Sequence, residues 1–280
     1  MNPFRIAIWH IERRLGEALS LDEIAEAAGL SRRHLARGFA FHVGTPVIAY
    51  ARARRLSEAA KALRDPELSI LSVALAFGYG SHEAFTRAFT DHFQVSPSET
   101  REPNVFNQLI LQEAFNMTAA PASKLLPAKI VKDVSRRIVG LKERYQCGAY
   151  GGIPEQWARL RPHLGNMEGE RGDGVAYGVC FNFDDGGDMD YLCGVETKSG
   201  ATPLGGFSLV ELEAGDYAVF AHQGHVSSIG ATWRAIYADG LPSLGRKPAN
   251  APQFERMDSR FDPETGSGLV EIWIPLDLAI

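Results

Sequence analysis

The sequence predicts two domains: an all-α double helix-turn-helix domain followed by an α+β domain built on a duplicated strand-helix-strand-strand unit. Three observations carry this. The first hundred residues space apolar side chains at three and four, residues from about 128 alternate with period two, and each half contains an internal repeat. At 280 residues the chain is also longer than one compact core normally uses. Its 45% apolar, 10% aromatic and 22% charged residues are those of a globular protein. No apolar run approaches the roughly 18 residues of a membrane span, and Met1–His10 lacks the layout of a signal peptide. A soluble cytoplasmic protein with no membrane partner is therefore expected. Cys147, Cys180 and Cys193 are too few for a disulfide framework.

The net charge of −5 hides an asymmetry. Residues 1–105 carry 13 Lys/Arg against 12 Asp/Glu, and the remaining residues carry 16 against 22. Twelve of those 13 cations are arginine, the side chain best shaped for bidentate contacts to phosphate and guanine.

Along the helical half, Ile6, Trp9, Ile11 and Leu15 open a first helix. Ser20 and Glu23 form a capping-box pattern for a second, which Gly29 ends, and Ser31 caps a third that carries Leu35 and Phe39. A long helix runs from about Thr45, its expected cap, through Leu63, and two more follow around Ile70–Phe77 and His82–His92. Residues 103–127 read as a linker with one short helical stretch. The strand candidates are Ile138–Tyr145, Val175–Phe183, Met189–Thr197, Phe207–Glu211, Tyr217–His222, Phe254–Phe261 and Leu269–Pro275. Helical stretches Glu155–Leu164 and Val226–Tyr237 lie among them.

The first repeat aligns Ile24-Ala25-Glu26-Ala27-Ala28-Gly29 with Val73-Ala74-Leu75-Ala76-Phe77-Gly78. Ser31, Leu35, Arg37, Phe39 and His42 are then echoed by Ser81, Phe85, Arg87, Phe89 and His92. Each copy is a small-residue helix, a glycine turn, a serine cap and an amphipathic second helix, which is the helix-turn-helix arrangement. Residues 5–101 resemble the DNA-binding domain of the AraC/XylS transcription factors. The likeness rests on Leu35-Ala36-Arg37-Gly38-Phe39, Gly44-Thr45-Pro46, Arg54-Arg55-Leu56, Phe77-Gly78-Tyr79 and Phe85-Thr86-Arg87-Ala88-Phe89 through Phe93-Gln94-Val95-Ser96-Pro97. Gly38 departs from the family's bulky apolar residue, and Gln94 from its usual glycine.

With Leu35 and Phe39 turned to the core, Arg32, Arg33, Ala36 and Arg37 are left on the first recognition helix to meet base edges; on the second, His82, Glu83, Thr86 and Arg87 are left. Ser31 and Ser81, capping those helices, are placed to approach phosphates. Arg52, Arg54, Arg55 and Lys61 read equally as backbone clamps or as ordinary helix surface. Two such helices would enter successive major-groove segments about 34 Å apart.

The second repeat sets Ile138–Tyr145, Glu155–Leu164, Val175–Phe183 and Met189–Thr197 against Tyr217–His222, Val226–Tyr237, Phe254–Phe261 and Leu269–Pro275. Trp157 matches Trp233, and Glu196 matches Glu271. The duplication suggests two sheets about a pseudo-dyad, with a ligand cleft at the seam. Residues 128–280 resemble the GyrI-like effector-binding domain through Ile153-Pro154-x-x-Trp157, Tyr177-Gly178-Val179, Leu212-Glu213-Ala214-Gly215-Asp216-Tyr217 and Glu271-Ile272-Trp273-Ile274-Pro275. The order, DNA-binding part first, resembles the Rob-type regulators.

Alternation puts Glu271 on one face with Leu269 and Trp273, where a carboxylate beside an indole suits a lipophilic cation. The resemblance implies that use of the glutamate, with Glu196 as its repeat-mate and Tyr177, Phe181 and Tyr191 as candidate walls. Trp157 and Trp233 read as core. Asp184–Asp190 reads as a hairpin turn, because no calcium-loop spacing runs through it. No zinc spacing, nucleotide loop or catalytic-triad pattern is present, so no metal, cofactor or catalytic residue is assigned. The expected protein is a transcription regulator, not an enzyme, whose partners are double-stranded DNA, a small apolar or cationic effector, and RNA polymerase. The competing reading is a GyrI-like hydrolase of small electrophilic compounds fused to a DNA-binding domain.

Overall fold

The computed structural model describes residues 2–115, 125–198 and 205–277. The chain forms two compact units, one of Pro3–Leu35 and Thr45–Ala120, the other of Ala36–Gly44 and Pro121–Ile280.

The helices are α1 (Pro3–Arg13), α2 (Leu21–Ala27), α3 (Arg32–Val43), α4 (Val47–Ala62), α5 (Ile70–Ala76), α6 (His82–Phe93) and the short α7 (Pro103–Phe106). The local signals act as their chemistry requires. Ser20 and Glu23 close a reciprocal capping box on α2, with Glu23 N to Ser20 Oγ at 3.2 Å and Ser20 N to Glu23 Oε2 at 2.8 Å. Ser69 and Ser81 cap α5 and α6 by accepting from the N–H three residues on. The helix-turn-helix turns need positive φ, which Gly29 (67°) and Gly78 (75°) provide. Gly78 also lies so close to the Gly16 carbonyl that a Cβ there would come within 2.6 Å of its oxygen. Thr45 does not cap α4: Pro46 takes that place and no side chain bonds the exposed N–H groups. Trp9 turns outward beneath the Arg13 guanidinium, while Phe4, Ala7, Ile8 and Ile11 make the buried stripe of α1.

One core joins α4, α5 and α6 through Leu56, Leu63, Val73, Phe85 and Phe89. Phe106, Leu109 and Leu111 of the expected linker pack on it. The backbone N–H groups of Gln112 and Phe115 bond Ser57 Oγ and Tyr50 OH, so residues 103–115 are bound to the helical unit. Arg54, nearly fully buried, fixes several of these elements at once. It donates to Glu12 of α1 (2.8 Å), to Glu58 one turn along α4 (2.9 Å) and to the Gln112 carbonyl (2.6 Å). Arg55 donates to the carbonyls of Leu15 (2.8 Å) and Glu17 beyond the end of α1. Both arginines are therefore structural.

In the other unit, β1 (Lys129–Asp133), β2 (Arg136–Tyr145), α8 (Ile153–Leu160), β3 (Ala176–Phe181), β4 (Met189–Glu196), β5 (Ser208–Leu212), β6 (Gly215–His225), α9 (Ile229–Ala235), β7 (Gln253–Asp262) and β8 (Ser267–Pro275) follow in order. Among them β1 is a strand the sequence pattern did not show. The duplication is present as β2-α8-β3-β4 and β6-α9-β7-β8, but the two halves do not form separate sheets. They share one antiparallel eight-stranded sheet of order β1-β6-β8-β7-β3-β4-β2-β5. The join is the β3–β7 ladder, in register with Gly178 opposite Glu255. It pairs two edges that separate sheets would leave open.

Both faces of this sheet are apolar. Tyr177, Val179, Leu192, Phe254 and Trp273 make one core. Tyr145, Cys180, Met189, Tyr191 and Cys193 face the opposite way, where α8 contributes Leu160. A π-helical turn, Ile236–Gly240, continues α9 and buries Tyr237.

Replacing Arg54 with Met is expected to cost about 2 kcal/mol of unfolding free energy by urea titration, because Glu12 loses its partner in a part-buried site. A loss below roughly 0.5 kcal/mol would mean the cluster behaves as an exposed ion pair.

Candidate functional site

On α6, Ser81 ends its capping role at the Ala84 N–H (3.1 Å), and His82, Glu83 and Arg87 are exposed, with Thr86 half-buried. Hydrogen bonds at the helix N-terminus hold the Glu83 carboxyl below its usual range. On α3, Ser31, Arg32 and Arg33 are exposed, and Arg32 pairs with Asp22 at 2.8 Å. Ala36 and Arg37 are a correction to the sequence reading: both are buried, at 2% and 7% exposure. They belong to the segment Ala36–Gly44, which packs within the second unit. There the Arg37 guanidinium lies 4.2 Å above the Phe183 ring.

The expected ligand residues divide. Tyr177, Phe181 and Trp273 line one sheet face, whereas Tyr191 points to the other, because neighbouring β4 residues alternate. Neither expected carboxylate is an open counter-charge. Glu271 accepts from Arg260 Nη2 (2.7 Å), Arg256 Nη1 (3.2 Å) and Trp273 Nε1 (3.2 Å). Glu196 accepts from Arg136 Nη1 (2.8 Å), Arg171 Nη1 (2.9 Å) and Tyr177 OH (3.3 Å). Guanidinium pairs already neutralise both.

The carboxylate that sequence reasoning missed is Glu255 of β7, on the face that carries Tyr191. Trp233 Nε1 of α9 donates to its Oε1 at 2.8 Å, and Tyr191 OH to its Oε2 at 3.1 Å. Trp157 Nε1 of α8 in turn donates to Tyr191 OH at 3.1 Å. The repeat-matched tryptophans, read as core, thus converge from both halves on one acid. Each donor is neutral, so Glu255 retains its full charge when ionised. Burial pushes its pKa up, and the two hydrogen bonds oppose that shift only in part. Tyr191, buried beside it, is held well above the ordinary phenol value.

The sequence positions this group through two devices. Gln156 of α8 is fully buried and ties that helix to the sheet, donating to the Leu141 carbonyl (2.8 Å) and the Tyr191 carbonyl (3.1 Å). Gly178 leaves room above β3, where a Cβ would lie 2.9 Å from Glu255 Oε2 and closer still to the Tyr191 hydroxyl. The signal available beforehand was the tryptophan pair together with Tyr177-Gly178-Val179.

A serine-capped helix-turn-helix pair and a sheet domain with an aromatic-walled acid define a two-domain transcription regulator. The comparisons agree. Residues 127–277 match the GyrI-like small molecule binding domain and residues 24–103 a helix-turn-helix domain of the AraC type. The chain belongs to the GyrI-like family, in the Rob-type order with its DNA-binding part in front. It is 26% identical to the transcriptional regulator Rob of Salmonella typhimurium over 273 residues, spanning 93% of this chain and 91% of that one. It is likewise 26% identical to the right origin-binding protein of Escherichia coli over 291 residues, 97% and 96% of the two chains. Over 86 residues it is 43% identical to the probable transcription factor PqrA of Proteus vulgaris, 31% of this chain and 70% of that one.

The raised acid makes a signed prediction. A carboxyl with a higher pKa folded than unfolded lowers stability above its folded pKa, and the penalty vanishes as pH falls to the unfolded value, about 4.3. Glu255→Gln, which retains an acceptor for Trp233, is therefore expected to be more stable than the parent at pH 7 in urea titrations. The advantage should close on acidification; a gap independent of pH would contradict a raised Glu255.

Proposed function

We propose that this regulator reads duplex DNA with the serine-capped ends of α3 and α6, and takes a lipophilic aromatic cation at Glu255. Residues 1–102 supply the DNA-reading part, 103–127 the connection and 128–280 the effector part. The observation that carries the effector class is the buried Glu255, held by neutral donors from Trp233 and Tyr191. A cation there gains the charge of the ionised acid and the ring face of Trp233. A neutral ligand would leave the desolvation penalty of the acid unrelieved.

On this reading Glu255 binds charge and catalyses no turnover, RNA polymerase is the protein partner, and the protein works in the cytoplasm. The hydrolase alternative is not favoured, since the relatives matched along nearly the whole chain are regulators or DNA-binding proteins by name.

The test is a fluorescence titration with crystal violet, a triaryl cation. Glu255→Gln is expected to weaken binding at least tenfold, and Glu271→Gln less than twofold. The reverse order would return the role to Glu271. Consumption of a cyclic electrophile abolished by Glu255→Gln would make the protein an enzyme. For DNA, Arg87→Ala is expected to cost roughly 1–3 kcal/mol on a selected duplex if Arg87 reads a base. Equal loss on random duplex would make it a phosphate clamp.

A further inference from the structure

Phe41 lies in the segment Ala36–Gly44 of the second unit. Its ring stacks on Trp233, with centroids 5.3 Å apart and planes 9° apart, and on Tyr237 at 5.5 Å and 15°. Tyr150 and Phe183 stand 6.0 and 6.3 Å away. Trp233 is the residue whose indole N–H holds Glu255. One helical turn before Phe41, the buried Arg37 places its guanidinium over Phe183. A flat ring and a delocalised cation from one segment thus fill the aromatic cluster next to the buried acid.

The seat is shaped for the segment. Gly187 and Gly148 both adopt φ of 79°. A Cβ on Gly187 would come within 2.8 Å of Ala40 Cβ, and one on Gly148 within 2.8 Å of the Gly44 carbonyl oxygen. Backbone that any side chain would obstruct faces the segment at both points.

We propose that Ala36–Gly44 is a built-in surrogate for the effector: Phe41 takes the place of its aromatic ring, and the Arg37 guanidinium over Phe183 anchors the segment. The inference rests on the Glu255 reading above and adds regulation to it. Effector and segment compete for the same rings. A bound aromatic cation therefore releases Arg37, which lies one helical turn along α3 from the exposed Arg33. Such a ligand shifts the regulator because it binds only the form with the segment displaced.

Two measurements on the full chain test this. In crystal violet titrations, Phe41→Ala is expected to bind at least tenfold more tightly than the parent. Equal affinity in both, with Glu255→Gln still weakening each, would overturn the surrogate and leave the Glu255 reading intact. Absence of binding to either would remove the Glu255 reading and the surrogate with it. The second measurement needs no ligand. Ala40 Cβ and Cys147 Sγ both crowd the point a Gly187 Cβ would occupy, at 2.8 and 3.2 Å. Ala40→Cys is therefore expected to form a disulfide with Cys147 under copper-phenanthroline oxidation, blocking crystal violet binding until a reductant is added. Failure of that disulfide to form in the folded variant would overturn the seating of the segment.

Discussion

A carboxyl group in an apolar interior, held among the described residues by neutral hydrogen-bond donors, is the constraint on which the second unit turns. Glu255 is matched by an indole N–H and a phenol O–H, which satisfy its lone pairs without cancelling its charge. Glu196 and Glu271 avoid that situation by pairing with arginine. Keeping one acid unpaired costs folding free energy, and the surrounding structure is arranged to bear that cost. Two tryptophans, one from each repeat, reach the same hydroxyl–carboxyl chain, and Gln156 fastens α8 to the sheet beneath. The π-helical turn after α9 keeps Tyr237 beside Trp233, where its hydroxyl donates to Gln253 at 2.8 Å.

The helical unit handles charge in the opposite way. Arg54 is buried but saturated by two carboxylates and a carbonyl, so its charge is spent on cohesion between α1, α4 and the chain near Gln112. Its neighbour Arg55 completes the end of α1. Gln94 ends α6 at φ 60°, a left-handed conformation that glycine would adopt without strain. Its side chain bonds the Asp91 carbonyl at 2.9 Å, which offsets part of that strain.

Much of this architecture was legible because it rests on local rules. Serine caps, glycine turns and the period of apolar residues mark α2 through α6, and the repeats mark both domains. What local rules do not carry is partnership across sequence. Glu271 and Trp273 do share a face as alternation requires, but the cross-strand pairing of Arg256 with Glu271 appears only once register is fixed. Glu255 was overlooked because both sheet faces are apolar and β4 is buried along its whole length, so polarity gives no sign of which face the helices cover. The single sheet likewise depends on the β3–β7 ladder between segments some seventy-five residues apart. Ala36 and Arg37 look like solvated helix surface in sequence and are buried, Arg37 with its guanidinium over the ring of Phe183, more than a hundred residues away.

Gly178 shows what this arrangement permits in descent. With no room for even a methyl group above it, the backbone there admits no gradual variation: any side chain at that position meets Tyr191 and Glu255 together. Diversification of ligand preference among such regulators would then have to proceed through rings farther from the acid, such as Phe183 and Tyr150 beside Phe41, while the acid and its underlying backbone stay fixed.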